Sequence, residues 1–326
     1  MTQPTVADLD EDALIASFVP LLPRGSRTLV PTGDDAAVVA APDGRFCVST
    51  DLLVAGHHFR PEWSSAADVG WRAAMQNLSD IAGMGAVPTS MVMGLVLPPS
   101  TPVAWVHDLC RGFAEACGPL DVGVDGGDLS AGEQLVVAVT VHGDLGGRAP
   151  VLRSGARPGD VVAHAGALGR SAAGHALLTE GRHGGSDEAL IADFLRPRPA
   201  LDAGPAAAAA GASALMDVSD GLLRDGRRLA RASGVVLDLE PLEDSVPSAL
   251  AGLADAAARL GADPAVWALT GGEDHGMLAT FPAGTELPAG FTRLGTVRAA
   301  AGAEAGAVLV GGVEPTISPG WDHFRR

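Results

Sequence analysis

The chain has 326 residues, a length that favours two domains over a single core. Its net charge is −17, which makes it a poor candidate for binding nucleic acid or an anionic membrane, because such binding depends on basic residues that meet phosphates. All 22 basic residues are arginine, which excludes a P-loop lysine on a nucleotide phosphate and a Schiff-base lysine.

The three cysteines, Cys47, Cys110 and Cys117, form an odd and sparse set that predicts no disulfide framework. Cys110 and Cys117 are seven residues apart, so we expect both on one buried face of a helix. The first residues lack a signal-peptide pattern, and no apolar run approaches the roughly 18 residues of a membrane span. We therefore expect a cytoplasmic protein in a reducing compartment.

In chain order, the first half predicts a short opening helix followed by alternating strands and helices. Ser64 or Ser65 is the expected N-cap of the second helix, and the turn PDG joins the first two strands. The predicted helices cover residues 10–19, 65–79 and 102–117. The predicted strands cover residues 36–40, 46–50, 91–97 and 134–143.

Residues 147–166 are dense in glycine, proline and arginine and are the best candidate for a domain boundary. We place the two domains at residues 1–148 and 149–326. Strands and helices mix in both, so the fold class is α/β or α+β in two halves. The second half predicts a helix at 168–180, a loop-rich segment at 181–205, a strand, turn and helix at 214–234, and strands at 235–240, 277–281 and 307–310.

Carboxylates recur beside glycine or at the end of an apolar segment. One such junction is typical of a turn or a helix N-cap, but six are harder to explain in that way. Asp80 follows Asn77 by three residues, on the same face of the second predicted helix. The six junctions hold Asp34 and Asp35, Asp51, Asp80, Asp125 and Asp128, Asp217 and Asp220, and Glu273 and Asp274.

If these carboxylates converge in space they repel one another, and a bound cation is the usual remedy. Oxygen ligands without a Cys or His ligand spacing select a hard ion such as Mg²⁺. Because Mg²⁺ typically bridges to phosphates, the pattern indicates a nucleotide or a phosphorylated substrate.

Other residues could meet phosphate without a P-loop. The glycines of GGD at 126–128 and of GGED at 271–274 allow backbone N–H groups to approach a ligand. Arg153 and Arg157 lie in the loop RSGARPGD, where they either bind phosphate or belong to a solvated linker.

His58 is either a structural histidine or a hydrogen-bond partner of a substrate phosphate. Ser219 is either an N-cap or a contact to a nucleotide phosphate. His57 and Asp34 receive no role. A Ser-His-Asp hydrolase is disfavoured, because the chain has no G-x-S-x-G elbow.

Eight segments, taken together and in this order, resemble the thiamine-monophosphate kinase family, which belongs to the superfamily of aminoimidazole ribonucleotide synthetase. The resemblance covers the chain from about residue 30 to Phe324, although GDD or GGD alone would not be specific. The segments are TGDDAAVV, VSTDLLVAGHHF, NLSDIAGMGA, GGDLS, RSGARPGD, DVSDGLLRD, LTGGEDH and WDHF.

The resemblance implies a two-domain α/β protein that uses ATP to phosphorylate thiamine phosphate, giving thiamine diphosphate and ADP. It implies an amino-terminal ATP/Mg-binding domain that pairs into a homodimer through a β-barrel-like interface. The carboxy-terminal domain would complete the active site. The acceptor phosphate is already anionic, so no general base is expected, and several Mg²⁺ ions would assist an in-line transfer.

Site residues carry over by position from the same resemblance. The implied ATP contacts are Gly127, Asp128, Arg153 and Ser219, and the implied thiamine phosphate contacts are His58, Glu273 and Trp321. The implied metal ligands are Asp35, Thr50, Asp51, Asp80, Asp128, Asp217 and Asp220, with Ser49 near them.

Two positions depart from the family pattern. His275 and Trp321 stand where many members have tyrosine or another aromatic residue, and both keep a planar group. Two alternatives stay open: another ATP-dependent member of the superfamily, such as an aminoimidazole ribonucleotide synthetase-like ligase, or a catalytically inactive nucleotide-binding module.

Overall fold

The computed structural model describes residues 4–32, 36–182, 184–301 and 304–321. The segment with Asp34 and Asp35 lies outside the described residues. Contacts divide the chain into two compact units. Unit 1 contains Met1–Ile81 and Val87–Gly147, and unit 2 contains Ala82–Ala86 and Arg148–Arg326.

Unit 1 contains a four-stranded sheet in the order β3-β6-β4-β5 and a separate two-stranded pair, β1-β2. Strands β4 and β5 are parallel, and the other pairs are antiparallel. Its helices are α1 (Glu11–Phe18), α2 (Ala66–Ala82) and α3 (Val103–Cys117). Its strands are β1 (Thr28–Val30), β2 (Val38–Val39), β3 (Cys47–Val54), β4 (Val87–Leu97), β5 (Gly123–Ala131) and β6 (Val136–Asp144).

The two predicted local signals in unit 1 are confirmed. Ser65 begins α2 in a capping box, because its hydroxyl accepts from Asp68 N–H at 3.2 Å and the Asp68 carboxylate accepts from Ser65 N–H at 3.0 Å. Cys110 and Cys117 are both buried on α3, and burial raises the pKa of each thiol to about 12. Both cysteines therefore behave as small hydrophobic residues.

Unit 2 is built on a six-stranded sheet in the order β12-β9-β11-β7-β10-β8. Only the β12–β9 pair is parallel in the described sheet. Its strands are β7 (Val161–Ala165), β8 (Ala214–Val218), β9 (Val235–Leu239), β10 (Gly276–Phe281), β11 (Phe291–Ala299) and β12 (Val308–Val310). Its helices are α4 (Arg170–Thr179), α5 (Glu188–Leu195), α6 (Ala203–Ala209), α7 (Leu222–Ser233), α8 (Leu242–Ser245), α9 (Pro247–Leu260) and α10 (Pro264–Thr270).

The core of unit 2 has one apolar cluster on each side of this sheet. Along β8, Met216 and Val218 belong to the larger cluster, and Leu215 belongs to the smaller one. Successive side chains of a strand point to opposite faces, so a continuous apolar run such as ALM supplies both clusters. The antiparallel pairing in both units favours α+β over a doubly wound α/β fold.

The loop-rich segment expected at 181–205 is wrong in part, because it contains α5 and the start of α6. Leu190, Ile191 and Phe194 are buried on one face of α5, and this spacing is typical of an amphipathic helix. Glycines and prolines on either side of α5 favour a loop, so this short helix was not predicted. Strands β1, β5, β7 and β11 were also not predicted, because each is short, polar or interrupted by glycine or proline neighbours.

No helix among the described residues combines the length and apolar character that crossing a membrane requires.

Candidate functional site

In unit 1, strand β3 and helix α2 bring three of the predicted site residues together. The Ser49 hydroxyl donates to the Asp80 carboxylate at 2.5 Å. The backbone N–H of Asp51 donates to the Asn77 side-chain oxygen at 3.1 Å. Because Asn77 and Asp80 are three residues apart, they share the face of α2 that meets the middle of β3. The resulting group is called the unit 1 cluster and contains Ser49, Asp51, Asn77 and Asp80.

Thr50 lies on the other face of the same strand. Its hydroxyl donates to the Val139 carbonyl at 2.8 Å and accepts from the Thr140 hydroxyl at 3.2 Å. Side chains alternate along a strand, so Ser49 and Asp51 face α2 while Thr50 faces away. The structure therefore separates the Thr50 hydroxyl from the unit 1 cluster.

The strand register also separates Asp128 from the unit 1 cluster. One row of the ladder crosses all four strands and contains Asp51, Val139, Met93 and Gly127. The next row, whose side chains face the opposite side, contains Leu52, Ala138, Gly94 and Asp128. In addition, β3 and β5 are the two edge strands, three strand spacings or about 14 Å apart.

Gly127 has a packing reason to be glycine. A Cβ at this position would lie 1.8 Å from the Met93 carbonyl oxygen, which is backbone and cannot move aside. The close parallel pairing of β4 and β5 therefore requires this glycine before any ligand is considered.

His58 is fixed against the end of β3. The Val54 N–H donates to His58 Nδ1 at 3.0 Å, so Nδ1 is an acceptor and the neutral ring carries its proton on Nε2. Arg72 also donates to the His58 carbonyl at 3.3 Å. The ring orientation is thus set by the protein, with the proton on the nitrogen that could donate to a phosphate oxygen.

Asp125, to which the sequence assigned no role, anchors the amino-terminal strand β1. It is buried, and the Thr28 hydroxyl donates to its carboxylate at 2.6 Å. Asp125 is the extra residue of a β-bulge in the β4–β5 pair, just before Gly126. Burial raises the pKa of the Asp125 carboxyl, although the hydrogen bond from Thr28 lowers it.

Among the described residues, no three His, Cys, Asp or Glu side chains come together as a cation site. Asp35, the first of the predicted ligands, lies outside the described residues. The unit 1 cluster nevertheless offers hard oxygen donors from Ser49, Asp51 and Asp80, which is the donor chemistry that Mg²⁺ selects. These donors fit a Mg²⁺ ion whose remaining coordination positions would be filled by water and phosphate.

In unit 2, the turn between β8 and α7 carries Asp217, Ser219 and Asp220. Asp217 is buried on β8, and its carboxylate lies 3.5 Å from His275 Nδ1. The Ser219 carbonyl accepts from the backbone N–H of Glu273 at 2.9 Å. The Asp220 carbonyl accepts from the backbone N–H of Trp321 at 3.0 Å. Backbone hydrogen bonds thus join Ser219 to Glu273 and Asp220 to Trp321. Together with Asp217 at the end of β8, these residues are called the unit 2 cluster.

The Asp220 carboxylate is paired with arginines of α7. It lies 2.7 Å from Arg228 and 3.6 Å from Arg224. Its own backbone N–H donates to the buried Asp225 carboxylate at 2.8 Å. Burial is the main reason that the pKa of Asp225 rises to about 6, and Arg228 works against that shift.

Arg153 and Arg157 are exposed on the loop before β7, and the backbone of this loop is held at two points. The Ser233 hydroxyl donates to the Arg153 carbonyl at 2.7 Å and accepts from Ala156 N–H at 3.1 Å. The Asp160 carboxylate accepts from Arg157 N–H at 2.9 Å. The loop is therefore ordered before any ligand binds, unlike a solvated linker.

Two family models match the chain. The first is described as AIR synthase related protein, N-terminal domain, and covers residues 33–145. The second is described as AIR synthase related protein, C-terminal domain, and covers residues 157–280. The matched segments together span more than two thirds of the chain.

A curated thiamine-monophosphate kinase of Mycobacterium tuberculosis is 46% identical over 321 residues, which is 98% of this chain and 93% of that relative. The chain belongs to the thiamine-monophosphate kinase family. The Corynebacterium glutamicum member is 40% identical over 332 aligned positions, 98% of this chain and 95% of that relative. The family that the eight sequence segments predicted is thus confirmed.

The solved structure described as AaThiL complexed with AMPPCP and TMP has the same fold. Its TM-score is 0.78 at 32% identity, covering 89% of this chain and 91% of that chain. The two-domain fold class predicted from the resemblance is confirmed by this match and by the two family models.

Four residues of this thiamine-monophosphate kinase family member support the predicted site residues and were missed as such in the sequence. The sequence held a usable signal for Asn77 and Asp225, because Asn77 lies three residues before Asp80 on one face of α2 and Asp225 lies five residues after Asp220. Asp274 was named among the junction carboxylates without a role, and Ser233 was not singled out. Their partners are 77 to 104 residues away in the chain, so no local pattern indicates these contacts.

Proposed function

We propose that this chain transfers a phosphoryl group from ATP to thiamine phosphate, which yields thiamine diphosphate and ADP. The observation that carries the proposal is the 46% identity to a thiamine-monophosphate kinase over 98% of the chain. A fold neighbour in complex with AMPPCP and TMP adds support, because AMPPCP is an ATP analogue. The reaction class is phosphotransferase with a phosphate acceptor.

The reaction needs little covalent help from side chains. The attacking oxygen belongs to a phosphate that is anionic at neutral pH, so no general base is required. Catalysis then depends on positioning and on stabilising the charge of the transferring group. Bound Mg²⁺ would supply neutralisation of the donor and acceptor phosphates.

Unit 1 would hold the metal through the unit 1 cluster. Asp51 and Asp80 are the proposed ligands, and Ser49 is already hydrogen-bonded to the Asp80 oxygen that a cation would share. Thr50 could join them through its backbone oxygen, since its hydroxyl faces the other side. Asp35 and Asp128 stay proposed ligands by family resemblance.

The phosphate contacts proposed in unit 1 are Gly127, Asp128 and His58. The Nε2 proton of His58 would donate to the acceptor phosphate, because Nδ1 is occupied by the Val54 N–H. Gly127 and Asp128 would contact ATP from β5, where both are exposed.

The proposed contributions of unit 2 come from its own cluster and from the Arg153 loop. Arg153 and Ser219 would contact ATP, and the pre-ordered loop lowers the entropy lost when Arg153 binds a phosphate. Glu273 and the exposed Trp321 would contact thiamine phosphate, the carboxylate near the thiazolium cation and the indole against a ring. Asp217 and Asp220 are the proposed metal ligands of this unit.

The proposed assembly is a homodimer in a reducing cytoplasm. Val48 and Leu52 lie more than half exposed on the face of β3 that turns away from α2, and a second copy would cover them. All three cysteines are free, as a reducing compartment requires. Replacing both apolar residues, Val48→Asp with Leu52→Asp, should convert a dimer to a monomer in light scattering, and a monomeric wild type would contradict the dimer.

The deciding test is an assay with ATP, Mg²⁺ and thiamine phosphate, read by chromatography of nucleotides and thiamine species. Equal amounts of thiamine diphosphate and ADP without free phosphate support the kinase. Free phosphate with ADP would indicate a ligase-type reaction, and nucleotide binding without turnover would indicate an inactive binding module.

A further inference from the structure

The loop that carries Glu273 is tied to the start of a distant helix by its neighbour Asp274. The Asp274 carboxylate is buried and accepts hydrogen bonds from Ser171 N–H at 2.8 Å and Arg170 N–H at 3.2 Å. The N-cap of α4 is Gly169, which has no side chain to cap these groups. Asp274 therefore supplies the cap of α4 from 103 residues away.

The same helix start holds the backbone of Glu273. The Ser171 hydroxyl donates to the Glu273 carbonyl at 2.9 Å. On its other side, the Glu273 N–H donates to the Ser219 carbonyl at 2.9 Å. Both peptide groups next to the Glu273 Cα are thereby fixed, one to α4 and one to the turn before α7.

The conformation that these bonds hold is one that the chain would not adopt alone. Glu273 has φ 68° and His275 has φ 51°, both in the left-handed region that side chains with a Cβ avoid. A Cβ on Gly272 would lie 2.4 Å from the Ser219 carbonyl oxygen, so the loop has no room to relax toward that turn. A backbone conformation of this kind persists only when contacts with the surrounding structure hold it. The buried Asp274 carboxylate provides one of these contacts.

We infer that Asp274 is a positioning residue, whose cap of α4 fixes the backbone of Glu273 and so sets the direction of the Glu273 carboxylate toward the thiamine phosphate. The inference rests on the proposed function, which assigns Glu273 to that substrate. The alternative is a cap that only stabilises the fold, as Asp263 does for α10 by accepting from Ala265 N–H at 2.8 Å.

Steady-state kinetics on the full chain separate the two readings. Asp274→Ala should raise the KM for thiamine phosphate about 10-fold, while kcat and the KM for ATP change less than about twofold. Asp274→Asn keeps one acceptor oxygen and should raise the same KM only about threefold. The matched control Asp263→Ala removes a cap of equal chemistry in the same unit and should leave both KM values unchanged.

A double-mutant cycle with Glu273→Gln tests whether Asp274 acts through Glu273. Once Glu273 has lost its charge, Asp274→Asn should raise the KM for thiamine phosphate no further. Additive effects of the two substitutions, or equal changes in the KM values of both substrates, would overturn the inference. Asp274→Asn is nearly isosteric with the wild type, so the cycle stands even if Asp274→Ala fails to fold.

Hydrogen exchange gives a readout that does not depend on activity. The amides of Arg170, Ser171 and Glu273 should exchange faster in Asp274→Asn and at the wild-type rate in Asp263→Ala. Unchanged exchange at Glu273 would overturn the tether. A wild type that forms no thiamine diphosphate would instead refute the proposed function, and the exchange result would still report on the loop.

Discussion

The carboxylates of the two units are held in different ways. In the unit 1 cluster, the Asp80 carboxylate accepts from the Ser49 hydroxyl, and the Asp51 backbone N–H donates to the Asn77 side-chain oxygen. In the unit 2 cluster, the Asp220 carboxylate is paired with two arginines, and its turn is fixed by backbone hydrogen bonds to Glu273 and Trp321.

The partners of the Asp80 and Asp220 carboxylates differ in charge. A hydroxyl or an amide orients a carboxylate but leaves its negative charge for a cation, whereas an arginine neutralises much of that charge in advance. The two clusters can therefore share an acidic sequence signature and still differ in what they bind. Both clusters hold proposed metal ligands, but in unit 2 the proposed ligand Asp220 already pairs with Arg224 and Arg228, which a phosphate could also engage.

The largest expected effect is a loss of turnover when a carboxylate of the unit 1 cluster is replaced. Asp80→Asn should lower kcat by about 10³-fold, because it removes the charge of a proposed metal ligand while keeping an oxygen that can accept from Ser49. Asp220→Asn should cost only about 10-fold, since Arg224 and Arg228 stay and still attract phosphate. Steady-state assays across a Mg²⁺ titration check both.

Asp12→Asn, at an exposed position of α1, is the control for the loss of one carboxylate in unit 1 and should leave kcat unchanged. Melting temperatures show that each variant is folded. Near-normal activity of Asp80→Asn at saturating Mg²⁺ would break the assignment of the metal to unit 1, and equal losses for Asp80 and Asp220 would remove the contrast between the units.

The next effect is on stability in acid and compares a histidine of each unit. Burial lowers the pKa of His164 on β7 to about 4, so the folded state keeps it neutral where the unfolded chain, at 6.5, takes up a proton. The stability that depends on neutral His164 is complete above pH 6.5 and is lost as pH falls toward 4. The loss should reach about 3 kcal/mol, measured by urea unfolding at each pH.

His164→Leu should flatten this pH dependence. His142 of unit 1 is half buried, and burial lowers its pKa while Asp125 raises it, so His142→Leu should change the slope less. His175→Leu, at an exposed position of α4, is the surface control. An unaltered slope in His164→Leu would mean that other groups govern the acid transition.

A smaller effect concerns the substrate preference of unit 2. Glu273→Gln removes one negative charge and should raise the KM for thiamine phosphate about 10-fold, because attraction to the thiazolium cation is lost. The KM for ATP should stay within about twofold of the wild type. Glu243→Gln, in α8 of the same unit, is the matched control. An unchanged KM for thiamine phosphate would remove Glu273 from the substrate site.

The smallest effect tests the order of the Arg153 loop. Ser233→Ala removes two neutral hydrogen bonds to the loop and should raise the KM for ATP about threefold. Ser245→Ala removes a helix-end hydroxyl that donates to the Pro241 carbonyl at 3.2 Å and should leave that KM unchanged. Identical KM values in the two variants would show that the loop needs no fixed backbone to bind ATP.

Sequence reasoning was most successful where the signal is local. The N-cap Ser65, the buried cysteines of α3 and the strand end at Val218 all follow from residues within one turn or one strand. The strand end predicted before Asp51 was wrong, because β3 continues to Val54. Helix α5 was missed because eight residues between glycines and prolines give a weak periodic pattern. The bulge at Asp125 was missed because only the partner strand reveals an extra residue.

By itself, the sequence determined the family, the acidic junctions and the absence of lysine chemistry, because these are properties of residue identity and order. Only the tertiary structure decided which of those residues share a face. Strand register sends Thr50 and Asp128 away from Ser49 and Asp51, and a bond across 103 residues joins Asp274 to α4. Pairing and burial link residues that are far apart in the chain, and local patterns carry no record of such links.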